Sequence, residues 1–225
     1  MLNQTMLQVS TLKFLKDLKK NNNKPWFEKN KSVYLDAKED MDHFVGQVID
    51  GFGKTDPAIA TLQPKDCTYR IYRDVRFSQD KTPYKTHMGA YLNKGGKKAP
   101  TAGYYLHIEP GRNMAGGGLW MPQAPDLNKV RQEIDYNLAE WTKMLGDRNF
   151  KKQFGDGLEQ EDILSRPPKG YDDGNPAIEY LKLKSFIVTR GFTDAEIQSK
   201  TFSKEILKTF ASMTGFVHFL NRALE

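Results

Sequence analysis

The chain carries one cysteine, Cys67, among 225 residues. That excludes an intramolecular disulfide and any zinc site built from several cysteines. No apolar run approaches the roughly 20 residues that a membrane span requires. The opening MLNQTMLQVSTLKFL has neither a basic lead nor a small-residue cleavage site, so no signal peptide is expected. The expectation is a cytoplasmic protein with no membrane partner. Histidine is scarce, with four in the whole chain. No Gly-x-Ser-x-Gly elbow, His-Glu-x-x-His helix, P-loop, dinucleotide fingerprint or multi-carboxylate metal signature is present. No internal repeat or low-complexity tail breaks the pattern of an ordinary globular chain.

What the chain does have is concentrated positive charge. Its formal net charge is +6, and residues 67–98 alone hold eight Lys/Arg against two Asp/Glu. That local excess of six equals the charge of the whole chain. In CTYRIYRDVRFSQDKTPYKTHMGAYL, Arg70, Arg73, Arg76, Lys81 and Lys85 are interleaved with Tyr69, Tyr72, Phe77 and Tyr84. A sequence pI near 9.2 invites a nucleic-acid reading. The chain lacks the basic tail, zinc-knuckle spacing or recognition-helix pattern that would strengthen it.

Hydrophobic periodicity orders the chain. Ser10 is placed to cap a helix running to Lys20, with Leu12, Leu15 and Leu18 as its stripe, and Asn21-Asn22-Asn23 stops it. Pro25 suits the first turn of one long helix, Pro25 to Phe52. The period then changes to two. Alternation over Cys67–Phe77 predicts a strand, with Cys67 as a buried small hydrophobe. His87–Asn93 and Gly103–Glu109 predict two more strands. Asn113–Trp120 predicts a fourth, its Gly116-Gly117-Gly118 read as a sheet feature or else part of a ligand cradle. Further expectations are a helix from Asp126 to Leu145, a short helix near Pro176–Leu183 and a strand at Ser185–Thr189. A capping box at Thr193–Glu196 and a final helix from Ser203 to Leu224 complete the chain. Trp26, Trp120 and Trp141 read as core aromatics, and His43 and His218 as structural. Helices, then closely spaced strands, then helices predict an α+β fold, with an antiparallel sheet of about four to six strands. The expected organisation is one domain over 1–225: helical at 10–53, sheet at 66–121, and helical again at 126–225.

The motif Arg70-x-x-Arg73-Asp74-x-Arg76-Phe77, then Asp80-Lys81-x-x-Tyr84, resembles the signature of domain of unknown function 2461, a mostly bacterial family. GYYLHIEPG, AGGGLW and RPPKGYD are similar to that family too, so the resemblance covers nearly the full length. It implies no activity, and it supplies no catalytic residue to carry over.

The residues themselves leave three readings open. Three arginines at spacing three are costly to hold together without an anion between them, and their forks suit carboxylate or phosphate. The expected ligand-binding set is therefore Arg70, Arg73, Asp74, Arg76, Lys81, Tyr84 and Lys85, around a small anionic ligand. A nucleic-acid track along the KGGKK loop is the less favoured partner reading. In the third reading Asp74, Asp80 and Glu109 neutralise the arginines internally. His107 and Glu109, two apart on one strand face, could form an acid–base pair or two metal ligands. Two ligands do not make a metal site, so no metal is expected, and no cofactor is legible. His87 is a minor candidate beside the basic stretch.

Overall fold

The computed structural model describes residues 5–155 and 157–225. The N-terminal helices are α1 (Val9–Lys20), α2 (Lys24–Lys29) and α3 (Lys31–Phe52). Ser10 lies inside α1 and does not cap it. The start is fixed instead by Asp40 of α3, whose Oδ2 accepts from Gln8 N at 3.0 Å and Thr11 Oγ1 at 2.5 Å. The long helix expected over 25–52 is two helices. Asn23 Oδ1 caps α2 by accepting from Trp26 N at 3.0 Å. At Asn30 the side-chain amide donates to the Trp26 carbonyl at 2.8 Å, and its local competition for the backbone interrupts the helix. The break turns Phe27 fully inward.

A short helix, α4 (Pro64–Cys67), follows, with the Asp66 carboxylate accepting the Gln63 N–H at 3.0 Å. Cys67 is therefore buried at a helix end and not in a strand. The strand expected over Cys67–Phe77 does not form as a regular element. Residues 68–86 run as an irregular hairpin with isolated bridges at Thr68↔Ala90 and Tyr72↔Tyr84. Pro64 commits residues 64–67 to a helical turn. Beyond Tyr72 the chain folds back on itself before it can pair further with the sheet.

The sheet is an antiparallel meander, β1 (Met88–Leu92), β2 (Gly103–Ile108), β3 (Asn113–Leu119) and β4 (Phe186–Phe192), in that order. The expected fold class is thus found, with four strands and helices at both ends of the chain. Its last strand comes from beyond the 66–121 window. Helices α5 (Ala124–Tyr136), α6 (Leu138–Leu145), α7 (Arg148–Phe154), α8 (Ile178–Leu181) and α9 (Asp194–Ile197) lead to α10 (Phe202–Leu224). The single helix expected over 126–145 breaks at Asn137, whose amide turns to Glu133 Oε1 at 3.0 Å. The capping box at Thr193 forms as expected, Thr193 Oγ1 accepting from Glu196 N.

Strand pairing sorts the side chains into rows. Ala90, Leu106 and Ala115 stand side by side, as do Leu92, Tyr104 and Gly117. These rows face α10 and α3, where Tyr104 packs 5.2 Å from Phe210 and 4.7 Å from Phe52. Trp141 is buried among Phe186, Phe216 and Phe219. Trp120, expected in the core, is 75% exposed because it lies just past the end of β3. Gly118 has φ +124°, and a Cβ there would stand 1.9 Å from the Phe186 carbonyl, so the glycine run is a requirement of β3–β4 packing. The alternate rows point the other way: Gly89, His107 and Met114, then Tyr91, Tyr105, Gly116 and Thr189. Their tyrosines, His107, Met114 and Thr189 are partly buried. This second face presents the site.

Candidate functional site

The hairpin at 68–86 borders that face along β1, with Tyr69 N donating to the Gly89 carbonyl at 3.0 Å. It is closed by Arg73 N to Pro83 O at 2.9 Å and Lys85 N to Ile71 O at 2.8 Å. Asn22, in the α1–α2 corner, anchors it. Its amide donates to Tyr84 O at 2.8 Å and its Oδ1 accepts from Tyr84 N at 3.1 Å, as a neighbouring strand would. Tyr84 is buried and stacks on Phe27 at 3.9 Å.

This arrangement places the sequence-predicted residues apart. Arg73 bonds to Asp80 and Thr82, and reaches Ser78 at 3.3 Å. The Thr82 N–H, with Arg73 and the Thr82 hydroxyl, holds the Asp80 carboxyl down at about 2. Arg76 forks onto Asp74, Nε to Oδ1 at 2.9 Å and Nη2 to Oδ2 at 2.6 Å. Lys81 Nζ donates to the Val75 carbonyl at 2.9 Å. These contacts lie within the hairpin, whose tip leaves Phe77 95% exposed. Arg70 and Lys85 lie together on the other flank. There burial, and then the Arg70 charge, lower the Lys85 ammonium below its ordinary value.

A tighter constellation forms on the open sheet face. Residues 105, 107 and 109 share that face by the period of two. The β1–β2 register sets Met88 opposite Ile108 and Gly89 opposite His107. His87, one residue before β1, therefore arrives beside His107 and Glu109. One ligand atom from each of His87, His107 and Glu109 lies within 4.8 Å of the others. The two imidazoles stack at 4.3 Å. His107 Nε2 is 3.3 Å from Glu109 Oε2, and its Nδ1 is 3.1 Å from the Tyr105 hydroxyl. Thr86 Oγ1 donates to Glu109 Oε1 at 3.3 Å, and Lys19 Nζ stands 3.7 Å from the same oxygen. Gly89 makes room for the Tyr105 phenol, since a Cβ would meet its oxygen at 2.8 Å.

The electrostatics follow from burial and the surrounding cations. Burial, with His107 and Lys85 adding to it, pushes His87 down to about 4. Burial also lowers His107, against the opposing pull of Glu109. For Glu109 burial alone would raise the carboxyl, but His107, Lys19 and Arg112 together hold it below its usual range. Burial, and then Tyr69 and Glu109, raise the Tyr105 phenol to about 12. Near neutral pH the centre therefore holds two neutral imidazoles, one carboxylate and one protonated phenol, bordered by Lys19, Lys85 and Arg112.

Of the sequence candidates, the fold brings together His107, Glu109, Lys85 and the minor candidate His87. Sequence reasoning missed Lys19, Thr86 and Arg112. The signal for His87 was its offset from His107 across a hairpin. The ten residues between β1 and β2 conceal that register from the sequence.

A separate cleft of about 390 Å³ opens at the other end of the sheet, between β2 and the end of α10. There buried Asp56 accepts from Tyr104 Oη at 2.7 Å and Ala58 N at 3.1 Å, and meets His218 Nε2 at 3.3 Å. Capping and phenol contacts thus occupy that carboxylate.

No helix among the described residues is long and apolar enough to cross a membrane. Searches of curated proteins and of solved structures found no match for the chain. A family model described as "Conserved hypothetical protein (DUF2461)" matches residues 10–219, and over that span the chain belongs to this family.

Proposed function

We propose that the chain binds a small phosphate- or carboxylate-bearing molecule on the open face of its sheet. The ligand sits at the His87, His107, Glu109 and Tyr105 cluster. The observation that carries this reading is the placement of Lys19, Lys85 and Arg112 around two neutral imidazoles and a single carboxylate. The local balance is positive, so an added anion gains from three cations and opposes one. Tyr105 and the imidazole N–H groups are donors, and the Tyr69 ring beneath Lys85 Nζ, 5.3 Å from its centroid, offers an aromatic wall.

Thermal-shift measurements with phosphate, sugar phosphates, nucleotides and carboxylates test it. A ligand at about a hundred times its Kd adds about 2.7 kcal/mol to stability. Lys85→Ala combined with Arg112→Ala is expected to abolish the shift. No shift with any anion class refutes the reading.

A second reading, nucleic-acid binding, is favoured by one feature: exposed Phe77 beside Arg76 at the hairpin tip. An aromatic ring next to a cation is a stacking platform for a base. It requires oligonucleotide binding that falls steeply with salt and is lost in Phe77→Ala.

A further inference from the structure

We propose that His87, His107 and Glu109 bind one divalent transition-metal ion of the zinc class. The anion of the preceding section would complete its coordination. The metal assignment stands on the three donors alone, and only the open coordination position rests on the anion reading.

Donor chemistry points the same way as position. Two imidazoles and one carboxylate are the donor set of catalytic zinc sites that keep a fourth position open, and they also suit iron(II) and cobalt(II). All three donors lie within 4.8 Å of one another. The spacing of His107 Nε2 and Glu109 Oε2, 3.3 Å, is long for a charge-assisted hydrogen bond, for which about 2.7–2.9 Å is usual. It matches the edge of a tetrahedron around an ion with bonds of about 2.0–2.1 Å, which is about 3.3 Å.

The surrounding contacts fit ligation. A His107 bound through Nε2 carries its proton on Nδ1 and needs an acceptor there. The Tyr105 hydroxyl oxygen stands 3.1 Å away, in the position that orients metal-bound histidines. Thr86 Oγ1, donating to Glu109 Oε1 at 3.3 Å, fixes the carboxylate and leaves Oε2 facing His107. His87 makes no side-chain hydrogen bond among the described residues, and its stacking on His107 brings a ring nitrogen to the same point. A purely structural His107–Glu109 pair gives His87 no task.

The three cations that border the centre, Lys19, Lys85 and Arg112, oppose an ion. Lys19 Nζ lies 3.7 Å from Glu109 Oε1, although its side chain is 58% exposed and can withdraw. This yields a test with opposite signs. The untagged full-length protein, stripped with EDTA and dialysed, is titrated with zinc by calorimetry and with cobalt(II) by visible absorption. Expected are one ion per chain and intense d–d bands of low coordination number. His87→Ala, His107→Ala and Glu109→Gln should each weaken zinc at least 100-fold while circular dichroism shows the fold retained. Lys19→Gln should tighten it several-fold, and His43→Ala should change nothing. No bound metal in the folded wild type, or affinity that survives all three ligand substitutions, overturns the proposal. Phosphate binding with no metal binding leaves the anion reading standing and returns His107–Glu109 to an acid–base pair. Metal binding without phosphate binding removes the anion reading alone.

Discussion

Asn22→Ala should loosen one hairpin and little else. The Asn22 amide supplies the Tyr84 backbone with both a donor, at 2.8 Å, and an acceptor, at 3.1 Å. Two such hydrogen bonds contribute about 1 kcal/mol each, and the cost rises where the abandoned groups stay away from water. Tyr84 is buried, and alanine fills none of the amide's volume, so the total loss is about 2–3 kcal/mol. For a chain of this size each kcal/mol lowers Tm by about 2–4 °C, giving a fall of about 4–12 °C. Hydrogen exchange locates the effect. The amides of Arg73 and Lys85, which close the hairpin, and of Tyr69, which ties it to β1, should exchange faster by more than the global loss accounts for. Amides in the middle of β2, such as Leu106, should follow the global change only. Asn22→Asp keeps an acceptor for the Tyr84 N–H but sets a charge against its carbonyl, so it should not rescue. A loss under 0.5 kcal/mol, or equal acceleration across hairpin and sheet, refutes the anchoring role.

Arg73→Ala should destabilise by about 1–2 kcal/mol through its loss of Asp80, Thr82 and Ser78. Arg76→Ala, removing a pair in open solvent, should leave the urea denaturation midpoint essentially unchanged. Gly118→Ala forces a side chain onto a positive φ and against the Phe186 carbonyl. A loss of about 2–4 kcal/mol is expected, read by the denaturation midpoint. The buried Cys67 thiol, raised to about 11 by burial first and then by Asp66, should ignore Ellman's reagent until the protein unfolds. For Asp194, burial alone would raise the carboxyl, but the Gly111 N–H, Lys16 and Asn113 bring it below its usual value. A depressed carboxylate stabilises the fold above its unfolded-state pKa and loses that contribution as pH falls through the folded value. The stability gap between wild type and Asp194→Asn should therefore be present at neutral pH and close in acid.

Much of the fold was legible because it is written in near neighbours. The stripe of α1, the capping box at Thr193, the last helix and the alternation of β1 and β2 each depend on residues within a few positions. The errors share a cause as well. Asn30 and Asn137 broke helices that periodicity carried straight through, because an amide turning back one turn, onto the Trp26 carbonyl or the Glu133 carboxylate, leaves the apolar spacing unchanged. Cys67–Phe77 alternated like a strand, yet Pro64 and the fold-back at Tyr72↔Tyr84 took its backbone elsewhere.

The candidate site divides along the same line. Sequence by itself determined that the positive charge is concentrated between residues 67 and 98, that His107 and Glu109 share a strand face, and that the chain is α+β. Charge density and a period of two are local properties. Only the tertiary structure decided which charges are already paired and which face a common centre. Arg73 and Arg76 reach acids a few residues away because the hairpin closes on itself. His87 meets His107 and Glu109 because strand register, set across a ten-residue loop, brings them together. Lys19 joins them from α1, 90 positions away from Glu109 in the chain. Contacts of that range depend on how the helices pack around the sheet, and no window of sequence contains them.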